Sequence, residues 1–88
     1  MLFMYIHTHT PERCLADKPA ELAKLSAEVQ ASAKKAAVKI LAIYTAPHQH
    51  TMFVVLEAND VQAIESVLTP MTVWGDGELI PVMAPQPR

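Results

Sequence analysis

Val38-Lys-Ile-Leu-Ala-Ile-Tyr-Thr-Ala46 and His50-Thr-Met-Phe-Val-Val-Leu-Glu-Ala58 are two runs rich in Val, Ile, Leu, Tyr and Phe, joined by Pro47-His48-Gln49. β-branched and aromatic side chains suit a pleated, half-buried surface, so the two runs and their short connection predict an antiparallel hairpin. The hairpin decides the fold, because on each side of it lie one helical pattern and one further strand.

Upstream, Leu22, Leu25, Val29 and Ala33 recur at spacings of three and four, with Glu21, Lys24, Glu28 and Lys35 between them. That is the pattern of an amphipathic helix. Pro19 suits its first turn, Asp17 is placed to cap it, and the alanines carry it to Ala36 or Ala37. Before it, Met1 to His9 is an almost unbroken apolar and aromatic run, read as a strand buried on both faces and ended by Thr10-Pro11. Downstream of the hairpin, Val61, Ile64, Val67, Leu68 and Met71 form a second apolar stripe. Asn59 or Asp60 is its cap, with Gln62 in the style of a capping box, and Pro70 is expected to close it. Trp74-Gly75-Asp76-Gly77 reads as a turn, Glu78 to Met83 as the last strand, and residues 85–88 as a flexible tail.

The order is βαββαβ, an α+β ferredoxin-like fold with a four-stranded antiparallel sheet and two helices on one face, in a single domain over residues 1–84. Right-handed crossovers then give the strand order 4-1-3-2, with strand 3 antiparallel to strand 1. Strand 1 presents Leu2, Met4 and Ile6 one way and Phe3, Tyr5 and His7 the other. Both faces are apolar and the helices cover one of them. A second copy of the chain is expected on the other, as a homodimer or higher homo-oligomer.

Composition narrows the class. In 88 residues, 51% are apolar and 18% charged, an ordered globular balance, yet a chain this short has a thin core, which also favours association. The net charge of −2 gives no basic stripe, and the lysines are not interleaved with aromatics, so nucleic acid is not an expected partner. There is no apolar run of the roughly 20 residues that span a bilayer, and no secretory leader pattern. With a single cysteine, Cys14, the expected setting is cytoplasmic and reducing, away from membranes.

All four histidines lie in two His-x-His pairs, His7-Thr8-His9 and His48-Gln49-His50. Residues i and i+2 on a strand point to the same face, so each pair can aim two imidazoles in one direction. Strand 3 beside strand 1 brings His50 toward His7 and His9. Imidazole is a favoured ligand of zinc, copper and nickel, and the candidate metal ligands are His7, His9, His48 and His50, with Cys14 able to return from the following loop. A thiolate would shift the preference toward copper or zinc. Glu12 is a candidate acceptor for an imidazole N–H. The simpler reading is that His7 and His9 finish a strand, His48 and His50 are polar turn residues, and Cys14 is a small buried side chain. His48 lies within the connection, where strand alternation does not set its direction.

Met-Leu-Phe-Met at the start, Val-Leu-Glu-Ala-Asn-Asp before the second helix, and Trp74 followed by Glu-Leu-Ile-Pro-Val resemble the small bacterial proteins of the dimeric α+β barrel superfamily, in a His-bearing subgroup. That group also holds muconolactone isomerase and the antibiotic-biosynthesis monooxygenases. The resemblance implies the fold, a homodimer, and a pocket for a small-molecule ligand. The haem-degrading relatives use an Asn, a His and a Trp. Here Asn59 reads as a helix cap, a departure from their pattern, and no catalytic set carries over.

The alternative to a metal-binding protein is therefore a metal-free barrel enzyme, isomerase-like or monooxygenase-like, with one His near Tyr5 or Tyr44 as acid or base. Imidazoles converging on each other favour metal; imidazoles pointing into an apolar cavity favour the enzyme. No nucleophile elbow or phosphate loop is present, and no catalytic residue is identified. Trp74 reads as a core or dimer contact, and Met1, Met4, Met52, Met71 and Met83 are dispersed as core fillers rather than grouped as a methionine box.

Overall fold

A computed structural model describes residues 1–15 and 18–83. The elements are β1 (Leu2–Thr8), α1 (Pro19–Lys35), β2 (Lys39–Ala46), β3 (Thr51–Glu57), α2 (Val61–Trp74) and β4 (Asp76–Val82), with short 3-10 turns at Pro11–Arg13 and Pro47–Gln49. The sheet order is β2-β3-β1-β4, and every neighbouring pair is antiparallel. This is the predicted ferredoxin-like arrangement.

On β1 the alternation is resolved: Phe3, Tyr5 and His7 are buried, whereas Leu2, Met4 and Ile6 are only partly covered. The buried set packs with Val54 and Leu56 of β3, Val29 and Ala33 of α1, and Ile64, Val67, Leu68 and Met71 of α2. Both helices therefore cover one face. On the opposite face, Phe53 and Val55 pair across with Ile6 and Met4, and Tyr44 beside Phe53 is 65% exposed.

The anticipated Asp17 cap lies outside the described residues, as do 84–88. Lys18 holds the position before α1 and makes no side-chain cap. At its other end α1 closes in a Schellman motif, with the Val38 N–H donating to the Ala33 carbonyl (2.9 Å) and the Ala37 N–H to that of Lys34 (3.4 Å). Ala37 takes the left-handed conformation this requires (φ 59°), a place where glycine has no Cβ penalty. Ala37→Gly is expected to raise stability by up to about 1 kcal/mol, read as a higher thermal midpoint. An unchanged or lower midpoint would show that unfolded-state entropy outweighs the relieved strain.

Three expectations for the second half are corrected. Asp60 alone caps α2, accepting from the Ala63 N–H at 2.7 Å; with the cap there, Gln62 stands at the wrong position for a capping box. Pro70 does not end the helix, which continues to Trp74. Losing one backbone hydrogen bond is tolerated because the last turn seats Met71 in the core and Trp74 against it. Nor is Trp74 to Gly77 a turn. Gly75 is extended (φ −169°), and β4 begins at Asp76, because its ladder to β1 runs as far as Thr8. No helix among the described residues is long and apolar enough to cross a membrane.

Candidate metal centre

The β1–β3 ladder ends with Thr8 opposite Thr51 and is extended by one more bond, from the His9 N–H to the His50 carbonyl at 3.2 Å. His50 closes the 3-10 turn in a left-handed conformation (φ 49°, ψ 44°), which histidine tolerates better than most residues. That bend carries the chain from the turn into β3 beside His9. The two rings stand edge to face with centroids 5.4 Å apart.

Cys14 reaches the same place from the other side. It follows the 3-10 turn at Pro11–Arg13, and the turn is fastened to the end of α2: the Trp74 indole N–H donates to the Arg13 carbonyl at 2.6 Å. Arg13 in return donates to the Val73 carbonyl at 3.4 Å. As a result, one nitrogen each of His9 and His50 and the sulfur of Cys14 all lie within 4.8 Å of one another. Tetrahedral zinc with ordinary bond lengths holds its donors about 3.5 Å apart, so closure needs shifts of about 1 Å. Side-chain rotation supplies that, since all three residues are only half-buried.

Trp74 also lies over the histidines. Its ring stacks on His9 at 4.5 Å and tilts against His7 at 4.3 Å. The close approach depends on Gly75, where a Cβ would run into the Thr8 carbonyl and come within 3.0 Å of the His9 Cβ.

His7 is fully buried beside this group, 5.5 Å from His9 between ring centroids. Burial, reinforced by His9 and only partly opposed by Asp76, pushes its pKa down to about 4. His9 is lowered too, first by burial and then by His50. Both are thus held in the neutral form that binds metals. Neither ring nitrogen of His7 or His9, nor Nδ1 of His50, has a hydrogen-bond partner among the described residues. Buried polar atoms are normally satisfied, so this set leaves several donors and acceptors open to water, an ion or a ligand.

A cavity of about 200 Å³ is lined by His9, Cys14, His50 and Met52, with Leu15 and Trp74 among its walls. It shares Leu22, Met52 and Trp74 with a second, apolar cavity of about 240 Å³ between helices and sheet.

The family model described as a domain of unknown function, DUF3303, matches residues 1–86. The chain belongs to that family. No curated protein matches it.

Of the five candidate ligands in this DUF3303 chain, the fold gathers three, His9, Cys14 and His50. His7 borders them without joining the cluster. His48 is exposed on the 3-10 turn, and Glu12 is likewise exposed. Sequence reading missed the part of Trp74, which is packed against the core as expected but also stacks on His9 and anchors the Cys14 segment. The available signal was a lone Trp next to Gly75, a pairing that permits a large ring to lie on a neighbouring strand. Asn59 is exposed and lies outside the cluster.

Proposed function

We propose that this protein binds a transition metal ion through His9, Cys14 and His50, from the group of zinc, copper and nickel. The carrying observation is the convergence of two imidazoles and a thiol within 4.8 Å from three separate segments. Borderline and soft donors of this kind disfavour magnesium and calcium, which take oxygen ligands. Three protein donors leave a fourth position for water or a further ligand, the arrangement of catalytic rather than structural zinc sites. Metal analysis of protein purified without a polyhistidine tag and reconstituted with zinc is expected to give one ion per chain. Substoichiometric metal after desalting, with zinc and with copper alike, would refute the proposal.

The working unit is proposed to be a homodimer, with Met4, Ile6, Phe53 and Val55 of one open sheet face covered by the same face of a second copy. Sedimentation of the untagged protein is expected to show twice the chain mass, and a stable monomer would contradict it.

The apolar 240 Å³ cavity supports the second reading, a metal-free enzyme acting on a small organic molecule. The imidazoles favour the first, because those of His9 and His50 stand edge to face beside the Cys14 thiol and line the smaller adjoining cavity, not the 240 Å³ one.

A further inference from the structure

We infer that the metal is copper and that Met52 is its fourth donor, making the cluster a one-electron redox centre. The inference rests on the metal reading above and adds the identity of the ion and its chemistry.

The donor set is the first reason. Two imidazoles and one thiolate with a weak, long thioether bond are the ligands that hold copper in trigonal electron-transfer sites. In this chain Met52 lines the same 200 Å³ cavity as His9, Cys14 and His50. It gets there by register: Met52 stands opposite His7 on the helix-covered face of the sheet, two residues after His50, and is half-buried. Met71 lines the neighbouring apolar cavity instead, among Leu25, Val29 and Leu68. Met52 borders that cavity too and packs against the core, but unlike Met71 it also reaches the cavity of His9, Cys14 and His50.

The second reason is the surroundings. Leu15, Leu22, Pro47 and Trp74 form the rest of the wall around the thiol and imidazoles, with Thr45 and Thr51 the polar exceptions. An apolar shell around the sulfur is one of the levers that tune such a centre. The stack of Trp74 on His9 at 4.5 Å fixes one imidazole plane, and the Trp74 bond to the Arg13 carbonyl ties down the residue before Cys14. Once the side chains have closed on an ion, these two restraints limit how far His9 and the Cys14 segment move between oxidation states. Little rearrangement is what a one-electron site requires.

The step is simple in balance. Cu(II) accepts one electron from an external one-electron reductant and becomes Cu(I), while His9, Cys14 and His50 stay bound and no proton or covalent bond is exchanged. An external one-electron oxidant then takes that electron from Cu(I) and restores Cu(II).

The test is titration of the metal-free, untagged protein with Cu(II) under nitrogen, with zinc in a parallel sample, followed by absorption, electron paramagnetic resonance and ascorbate reduction. Expected is an intense visible thiolate-to-copper band at one copper per chain, absent from the zinc form and lost in Cys14→Ser. Met52→Leu, a swap of similar volume that cores tolerate, is expected to keep the band, raise the midpoint potential and alter the resonance spectrum. A band with a potential and spectrum unmoved by Met52→Leu would remove Met52 and overturn the four-donor site. Zinc bound at one per chain, with copper giving no band or oxidising two Cys14 thiolates to an intermolecular disulfide with release of two Cu(I), would overturn copper while leaving the metal reading intact. If neither ion binds, both readings fall.

Discussion

His9→Ala is expected to lower metal affinity at least about 100-fold, because deleting a ligand must cost no less than deleting one of the groups that merely orient ligands, which is worth about 10–100-fold. His9 is central for two reasons: its ring is the one placed between His50 and Trp74, and its backbone N–H secures the His50 turn. The substitution leaves that backbone bond intact, so the loss belongs to the imidazole. Competition with a chromogenic chelator measures it directly. The same difference must appear in thermal unfolding: zinc at 100 times its dissociation constant stabilises by about 2.7 kcal/mol, a rise of about 10 °C or more for a chain this size. The rise should vanish in His9→Ala and in His50→Ala and persist in His48→Ala, since His48 lies exposed outside the cluster. An equal loss in His48→Ala would mean that metal binds at scattered surface histidines.

The second large effect is acid sensitivity of the metal-free protein, and it belongs to His7. Its pKa is 6.5 unfolded and about 4 folded, so between these values the unfolded chain binds more protons than the native one. Stability therefore rises with pH over that window. His7 exacts no cost above pH 6.5, a growing one below it, and the full cost of about 3 kcal/mol once the pH is under 4. His9, lowered in the same direction, adds to the effect. Urea unfolding of chelator-treated protein at pH 7 and pH 4.5 measures it, with His7→Leu as the comparison. The variant should lose less stability than the parent on acidification. Parallel losses would place the acid sensitivity in the carboxylates instead.

Much of this architecture is legible in the sequence because period and punctuation agree along it. Leu22, Leu25, Val29 and Ala33 can only be one face of a helix, and the hairpin runs on either side of Pro47 can hardly be anything but strands. Strand order followed from topology, and with it the approach of His50 to His9. What the sequence could not supply is the end of α2. Pro70 is a local stop signal, but it was overridden by burial of Met71 and Trp74, residues whose partners lie on α1 and β1. That continuation delivers the Trp74 ring to the histidines.

The composition of the cluster shows the same limit. Cys14 is remote from any periodic pattern, and its position depends on a tertiary bond between Trp74 and the Arg13 carbonyl, which no local rule encodes. His7 and His9 look equivalent on paper, two residues apart on one strand. In the fold they separate, because His7 is still under the helices and His9 stands just past the end of the strand, where the Cys14 and His50 segments arrive.

X-ray absorption at the zinc edge of untagged protein carrying one equivalent of zinc tests the metal centre most directly. One sulfur at about 2.3 Å and two imidazole nitrogens at about 2.0 Å are expected, with the sulfur contribution gone in Cys14→Ser. A shell of nitrogen and oxygen alone in the parent protein, or zinc that washes out on desalting, would contradict it.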